Sequence, residues 1–184
     1  MRMMQLAMIA MASLLLGSVS ANAITVKKRT EAPGLPPQVW AVAGAFCTIK
    51  DWYADVVTDC VEEKDGDAVI RVLTLKDGAK IKEKLTAKDD LSYSYEIVES
   101  PLPVKNYKAK VWVEEDDEPD RTVIYWQADF DANGASDEDA KKKITDILAG
   151  GVKGIKQAAI AAHDAREGVS GDGKDKDDDG DDDK

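Results

Sequence analysis

Two periods of hydrophobic and polar positions divide this chain. A period of two runs through "ITVKKRT" (24–30), "DAVIRVLTL" (67–75), "KIKEKLTA" (80–87), "LSYSYEIV" (91–98), "NYKAKVWVEE" (106–115) and "RTVIYWQADF" (121–130). Each reads as a strand, and "CVEEK" (60–64) pairs before them. After the first strand "APGLPP" is a turn, and "PPQVWAVAGAF" is a helical start with Pro37 in its first turn. "TIKDWYADV" (48–56) predicts a second short helix capped by Thr48. "EDDEPD" (115–120) is a polar hairpin loop. From Ser136 the period becomes helical. "SDED" fits a capping box of Ser136 with Asp139, and Ile144, Ile147, Leu148, Val152, Ile155 and Ala159 form one apolar stripe. Gly150 and Gly151 disfavour a helix, so their place in one implies close approach to a sheet. The order is α+β: a strand, two helices, a run of antiparallel strands, then a long helix that covers one face of the sheet.

Register can be read from "LTLKDGAKI". A two-residue Asp-Gly turn pairs Val72 with Glu83 and Leu73 with Lys82. A three-residue loop, Lys76-Asp77-Gly78 with Gly78 left-handed, pairs Leu73 with Ile81 and Val69 with Leu85. Only the second sorts the leucines onto one face and Lys80, Lys82 and Lys84 onto the other, and a one-residue slip would undo that sorting. This loop sets Arg71 opposite Glu83 on the leucine face, where the two charges must pair. The pair reads either as a structural ion pair in the core or as the polar lining of a cavity. Its guanidinium should lower the Glu83 pKa.

The same alternation puts Tyr93, Tyr95 and Ile97 on the inner face, followed by Tyr107, Ala109, Val111 and Val113. On the last strand the inner set is Ile124, Trp126, Ala128 and Phe130, the other choice being Val123 and Tyr125. Buried tyrosine hydroxyls need partners. Three tyrosines with an Arg-Glu pair on one face suit a concave pocket better than a dry core.

The two ends differ from the middle. Arg2, the apolar "LAMIAMASLLLG" and "ANA" at 21–23 form the pattern of a secretory signal cut after Ala23, too short to span a bilayer. The expected divisions are a leader over 1–23, a domain over 24–167 and a disordered acidic tail over 168–184. The expected location is periplasmic or secreted, with no membrane anchor. The chain of 184 residues carries a net charge of -11, which disfavours nucleic acid and anionic lipid and suits a basic protein partner. Cys47 and Cys60, beyond such a leader, read as a disulfide worth roughly 3 kcal/mol in the chain-entropy model.

Signals for chemistry are sparse. His163 is the only histidine, and no serine or cysteine has an evident base. Asp129 and Glu83 are acid-base candidates in principle. No cofactor motif occurs, and the expectation is a protein without catalysis. In "DKDDDGDDD", Asp175, Asp177, Asp179 and Asp181 match the first half of a calcium loop. A bidentate acid and flanking helices are missing, so a solvating tail is the plainer reading. Attraction to a basic partner is another use for it.

"PPQVWAVAGAFCTIKDWYADVVTDC", "RVLTLKDGAKIKEKL" and "YSYEIVESPLPVKNYKAKVWV", with the Gly-containing last helix, resemble the START, Bet v-allergen and polyketide-cyclase superfamily (SRPBCC). "RVLTLKDG" and "LPVKNY" are similar to its periplasmic MxaD-type branch. The resemblance implies a helix-grip fold, a curved antiparallel sheet around a long C-terminal helix with a ligand cavity between. It implies a small hydrophobic or amphipathic ligand, with Arg71, Glu83, Tyr93, Tyr95, Tyr107 and Trp126 lining the cavity. It places Pro101, Leu102 and Pro103 at the entrance, where they gate a ligand or merely stiffen a strand connection. The MxaD-type branch implies instead an accessory factor for methanol dehydrogenase and its cytochrome. A cyclase-like enzyme is a third possibility under the same resemblance.

Overall fold

The computed structural model describes residues 23–171. The expected leader, apart from Ala23, and the aspartates 175, 177, 179 and 181 lie outside the described residues. Strand β1 (Ile24–Pro33) is followed by helix α1 (Pro36–Ala43), with prolines in its first turn where backbone N–H groups have no helical partner. The Leu35 N–H donates to Gln38 Oε1 at 2.9 Å and so ties down that end. Helix α2 is a single turn, Ile49–Trp52.

The expected helix over 48–56 therefore stops early. The Tyr53 N–H donates to the Ile49 carbonyl, the Val56 and Val57 N–H groups donate to the Tyr53 carbonyl, and the chain leaves as strand β2 (Val57–Asp65). β-branched residues at 56 and 57 favour that exit. Thr48 is not a side-chain cap, because its hydroxyl donates backward to the Ala45 carbonyl at 2.8 Å.

Strands β3 (Ala68–Leu75), β4 (Lys80–Asp89), β5 (Ser92–Glu99), β6 (Val104–Glu115) and β7 (Arg121–Ala132) complete one antiparallel sheet of seven strands, ordered β1-β7-β6-β5-β4-β3-β2. Helix α3 (Asp137–Gly171) crosses its concave face and runs past Glu167, where composition placed its end. The Ser136 hydroxyl accepts from the Asp139 N–H at 3.1 Å and donates to the Asp139 carboxylate at 2.7 Å.

The β3–β4 register pairs Arg71 with Glu83 and Leu73 with Ile81, closed by the three-residue loop. Gly78 at φ 83 takes the left-handed position the loop requires. On β7 the inner set is Ile124, Trp126, Ala128 and Phe130, all buried. Ile144, Leu148, Val152, Ile155 and Ala159 of α3 bury against the sheet, while Ile147 is half-buried.

Two glycines of α3 have different neighbours. A Cβ at Gly151 would run into the Trp126 ring, so the helix meets the sheet there. A Cβ at Gly150 would meet Tyr53 instead, so that glycine admits the turn after α2 rather than a strand. Gly154 adds a third close approach, against the Trp52 carbonyl. Together these small residues seat α2 on α3.

Candidate functional site

Between the concave face, α2 and the first half of α3 lies a cavity of about 290 Å³. Its walls are apolar: Ile49, Val56, Val57, Leu73, Leu75, Ile81, Ile97, Ile144 and Ile147. The sheet supplies polarity through Glu83 from β4, Tyr95 from β5, Tyr107 from β6 and Trp126 from β7, and Tyr53, after α2, adds a hydroxyl that donates to the Ile147 carbonyl at 3.0 Å. Leu102 closes one side, and Lys143 and Asp146 of α3 stand at the rim. Hollows elsewhere, such as one of about 560 Å³ beside Lys28, Lys153 and Lys156, are furrows on the outer surface.

The candidate residues divide into groups. Glu83, Tyr95, Tyr107, Trp126 and Leu102 line this cavity. Arg71 and Tyr93 are fully buried behind the lining. Pro101 is exposed and Pro103 half-buried, and neither lines the cavity. The proline loop therefore offers one apolar side chain to the cavity, Leu102. Its N–H is held by the Ser100 hydroxyl at 2.9 Å.

Arg71 is the polar centre behind the wall. Its Nε donates to Glu83 Oε2 at 2.5 Å, and its Nη1 donates to the Phe46 carbonyl. Its guanidinium carbon lies 4.0 Å over the Phe46 ring and 5.0 Å over Tyr95, a cation-π arrangement in a water-poor site. Arg71 Nη2 and the Tyr93 hydroxyl are buried without a hydrogen-bond partner among the described residues. Burial works against the Arg71 charge, yet Glu83, Tyr93 and Tyr95 hold its pKa above the ordinary value.

Glu83 reverses the direction read from sequence. Burial pushes its carboxyl above the ordinary carboxylate range, and the Arg71 guanidinium opposes that without cancelling it. The sequence showed the partner but not the depth of burial, which is the larger effect.

Burial also raises the phenols of Tyr93, Tyr95 and Tyr107. They are linked: Trp126 Nε1 donates to the Tyr95 hydroxyl at 3.1 Å, and the Tyr95 and Tyr107 rings pack with centroids 6.2 Å apart. Tyr107 is aimed inward by a bulge at Asn106, whose φ is 54 and whose amide donates to Asp131 at 2.7 Å. An asparagine tolerates that left-handed position.

Cys47 and Cys60 form a disulfide with Cα atoms 5.5 Å apart. It fastens the segment before α2 to β2, and with it Phe46, whose carbonyl holds Arg71. Sequence reading missed Phe46. The signal for it was only its place beside Cys47.

The two acid-base candidates do not meet. Glu83 faces the cavity, whereas Asp129 lies on the opposite face of the sheet and accepts from the Thr25 hydroxyl at 2.5 Å. His163 sits late on α3, 3.5 Å from the Asp164 carboxylate and outside the cavity lining. Among the described residues there is no cluster of metal-ligating side chains, and no helix is long and apolar enough to cross a membrane.

A curved sheet gripping a long helix over a cavity defines the helix-grip class of α+β proteins. The chain belongs to the polyketide cyclase/dehydrase and lipid transport family, whose model matches residues 23–159. Among solved structures it resembles the protein XoxI of Bacillus cereus, with 30% identity, 74% of this chain and 95% of that chain covered, and a TM-score of 0.69. An uncharacterized protein of Bacillus thuringiensis is 28% identical, with 74% and 99% covered and a TM-score of 0.69. A protein of Nitrosospira multiformis, 17% identical with 73% and 94% covered, shares the fold at a TM-score of 0.63. No curated protein matches the sequence.

Proposed function

We propose that this chain is a non-catalytic binding protein that holds a small hydrophobic or amphipathic molecule in the cavity between the sheet and α3. The observation that carries the reading is the lining: a mostly apolar chamber with Glu83 and three tyrosines, Tyr53, Tyr95 and Tyr107, among its walls. Its volume, about 290 Å³, falls just under the usual range of ligand pockets, roughly 300–1,000 Å³. A compact molecule suits that size better than a two-chain lipid. Binding rather than turnover is favoured because Glu83 is committed to Arg71 and Asp129 is on the other face. The leader pattern over 1–23 and the disulfide support a periplasmic or secreted location. The test is displacement of an environment-sensitive apolar dye from the purified protein by medium-chain alkanes. Ile147→Trp, which fills the cavity from α3, should weaken dye binding at least tenfold. Equal dye binding by both proteins would rule out this cavity as the site.

A second reading keeps the MxaD-type accessory role. The turn between β6 and β7 exposes Glu115, Asp117, Glu118 and Asp120, a surface that suits a basic partner. Replacing these four by Asn or Gln should slow capture of a basic periplasmic redox protein, most of all at low salt. An unchanged association rate would remove that surface from consideration.

A further inference from the structure

One furrow of the outer surface is basic, in a chain whose net charge is -11. It lies between β1 and the second half of α3. Lys28, Arg29, Lys153 and Lys156 line it, over a floor that includes Val152 and Ile160. Arg29 is taken by Glu31 at 3.2 Å. Lys28, Lys153 and Lys156 make no hydrogen bond or ion pair with any described residue. Lys153 and Lys156 are three apart on one helix, so their charges repel. Three cations thus share one furrow without a counter-charge among the described residues.

We infer that the counter-charge is the acidic run 177–183, which folds back into the furrow of its own chain and sets its carboxylates on Lys28, Lys153 and Lys156. Residues 172–184 follow α3 and hold eight aspartates and three lysines. Orientation favours the return. Lys28 of β1 lies beside Lys153 and Lys156, and past the end of β1 a Cβ at Gly34 would come 3.4 Å from Arg166 Nη2. Strand and helix therefore run the same way, and the furrow leads toward the end of α3. Length fits as well. Lys156 and Lys153 stand roughly 23 and 27 Å back from Gly171, at 1.5 Å per residue of helix. An extended chain leaving Gly171 spans about 23 Å by residue 178 and about 40 Å by residue 183, which leaves slack for the reversal. The outer face of the sheet offers poorer partners. Lys27 stands over the Trp112 and Tyr125 rings, Lys110 stands over Trp112, and Lys84 is paired with Glu96. A tether this short also gives the run a high effective concentration at its own furrow, so a second chain competes poorly. Nothing in this contact depends on what the cavity holds.

The experiment treats the purified full chain with a water-soluble carbodiimide, which joins a carboxylate to an amine in contact with it. The joined peptides of the monomer are then mapped by mass spectrometry. Aspartates of 177–183 should couple to Lys28, Lys153 or Lys156 at least about fivefold more often than to Lys82 or Lys108 on the outer sheet face, and salt at about 1 M, where charges are screened beyond about 3 Å, should remove most of that coupling. Lys153→Gln/Lys156→Gln removes two of the three cations, and coupling to Lys28 should then fall severalfold. Lys28→Gln should likewise lower coupling to Lys153. Coupling spread evenly over the lysines of the chain would overturn the inference. So would coupling only between copies, coupling that never reaches the furrow, or full yield at the remaining furrow lysines in either variant.

Discussion

Glu83 touches both sides of one wall. It faces the cavity, yet its Oε2 is bonded at 2.5 Å to Arg71, which has no exposure at all. The pair thus joins the ligand surface to the core, and each residue depends on the other for its place.

Arg71→Ala should lower unfolding stability by about 3–5 kcal/mol, because it leaves a carboxylate uncompensated where water is scarce. Arg71→Met/Glu83→Leu removes both charges and should be at least about 2 kcal/mol more stable than the single variant. Urea unfolding measures both. Equal stability of the two would mean that the buried charge is not what makes Arg71 necessary.

The α3 glycines should rank by what a methyl group meets. Gly154→Ala encounters the Trp52 carbonyl and Gly151→Ala the Trp126 ring. Each should cost about 1–3 kcal/mol, enough to lower the melting temperature by several degrees. Gly150→Ala meets first the hydroxyl end of Tyr53, which can swing aside, and should cost less. Thermal melts that placed Gly150→Ala lowest would contradict this packing.

Much of this was legible in sequence where a period and a turn acted together. Leucines on one face and lysines on the other admitted one register for "LTLKDGAKI", and Arg71 opposite Glu83 followed. The inward tyrosines followed from the same alternation. What was not legible depended on depth. Alternation assigns a face, not a distance from solvent, so it grouped Arg71 and Tyr93 with the cavity lining, and it made the Glu83 partner outweigh its burial. The early stop of α2 was hidden for another reason. "TIKDWYADV" has helical spacing, and only pairing of Val57 with Leu75 across the sheet decides against it. Phe46 acts through its backbone carbonyl, which residue type does not reveal.

Alkaline pH should open the fold through its tyrosines. The phenols of Tyr93, Tyr95 and Tyr107 are raised above the ordinary value of 10.0 by burial. An unfolded chain releases those protons first, so stability is fully present below pH 10 and is lost as pH rises toward the folded values. Phenolate absorbance from these three should therefore appear together with loss of near-ultraviolet circular dichroism. A gradual rise from all the tyrosines in a still-folded protein would contradict their burial.

The disulfide should stabilise by about 2–4 kcal/mol, since it closes a loop with a sequence separation of 13. Its loss should also loosen Phe46 over Arg71. The Cys47→Ser/Cys60→Ser variant is expected to unfold at lower urea and to show altered tyrosine circular dichroism. An unchanged urea midpoint would show that the segment before α2 is held by packing alone.

The most direct test of the central claim is native mass spectrometry of the protein, isolated from its host without denaturation. The account predicts an added mass that leaves on denaturation, is replaced by added octane, and is absent from Ile147→Trp. A bare chain that takes up no octane, before or after denaturing washes, would contradict it.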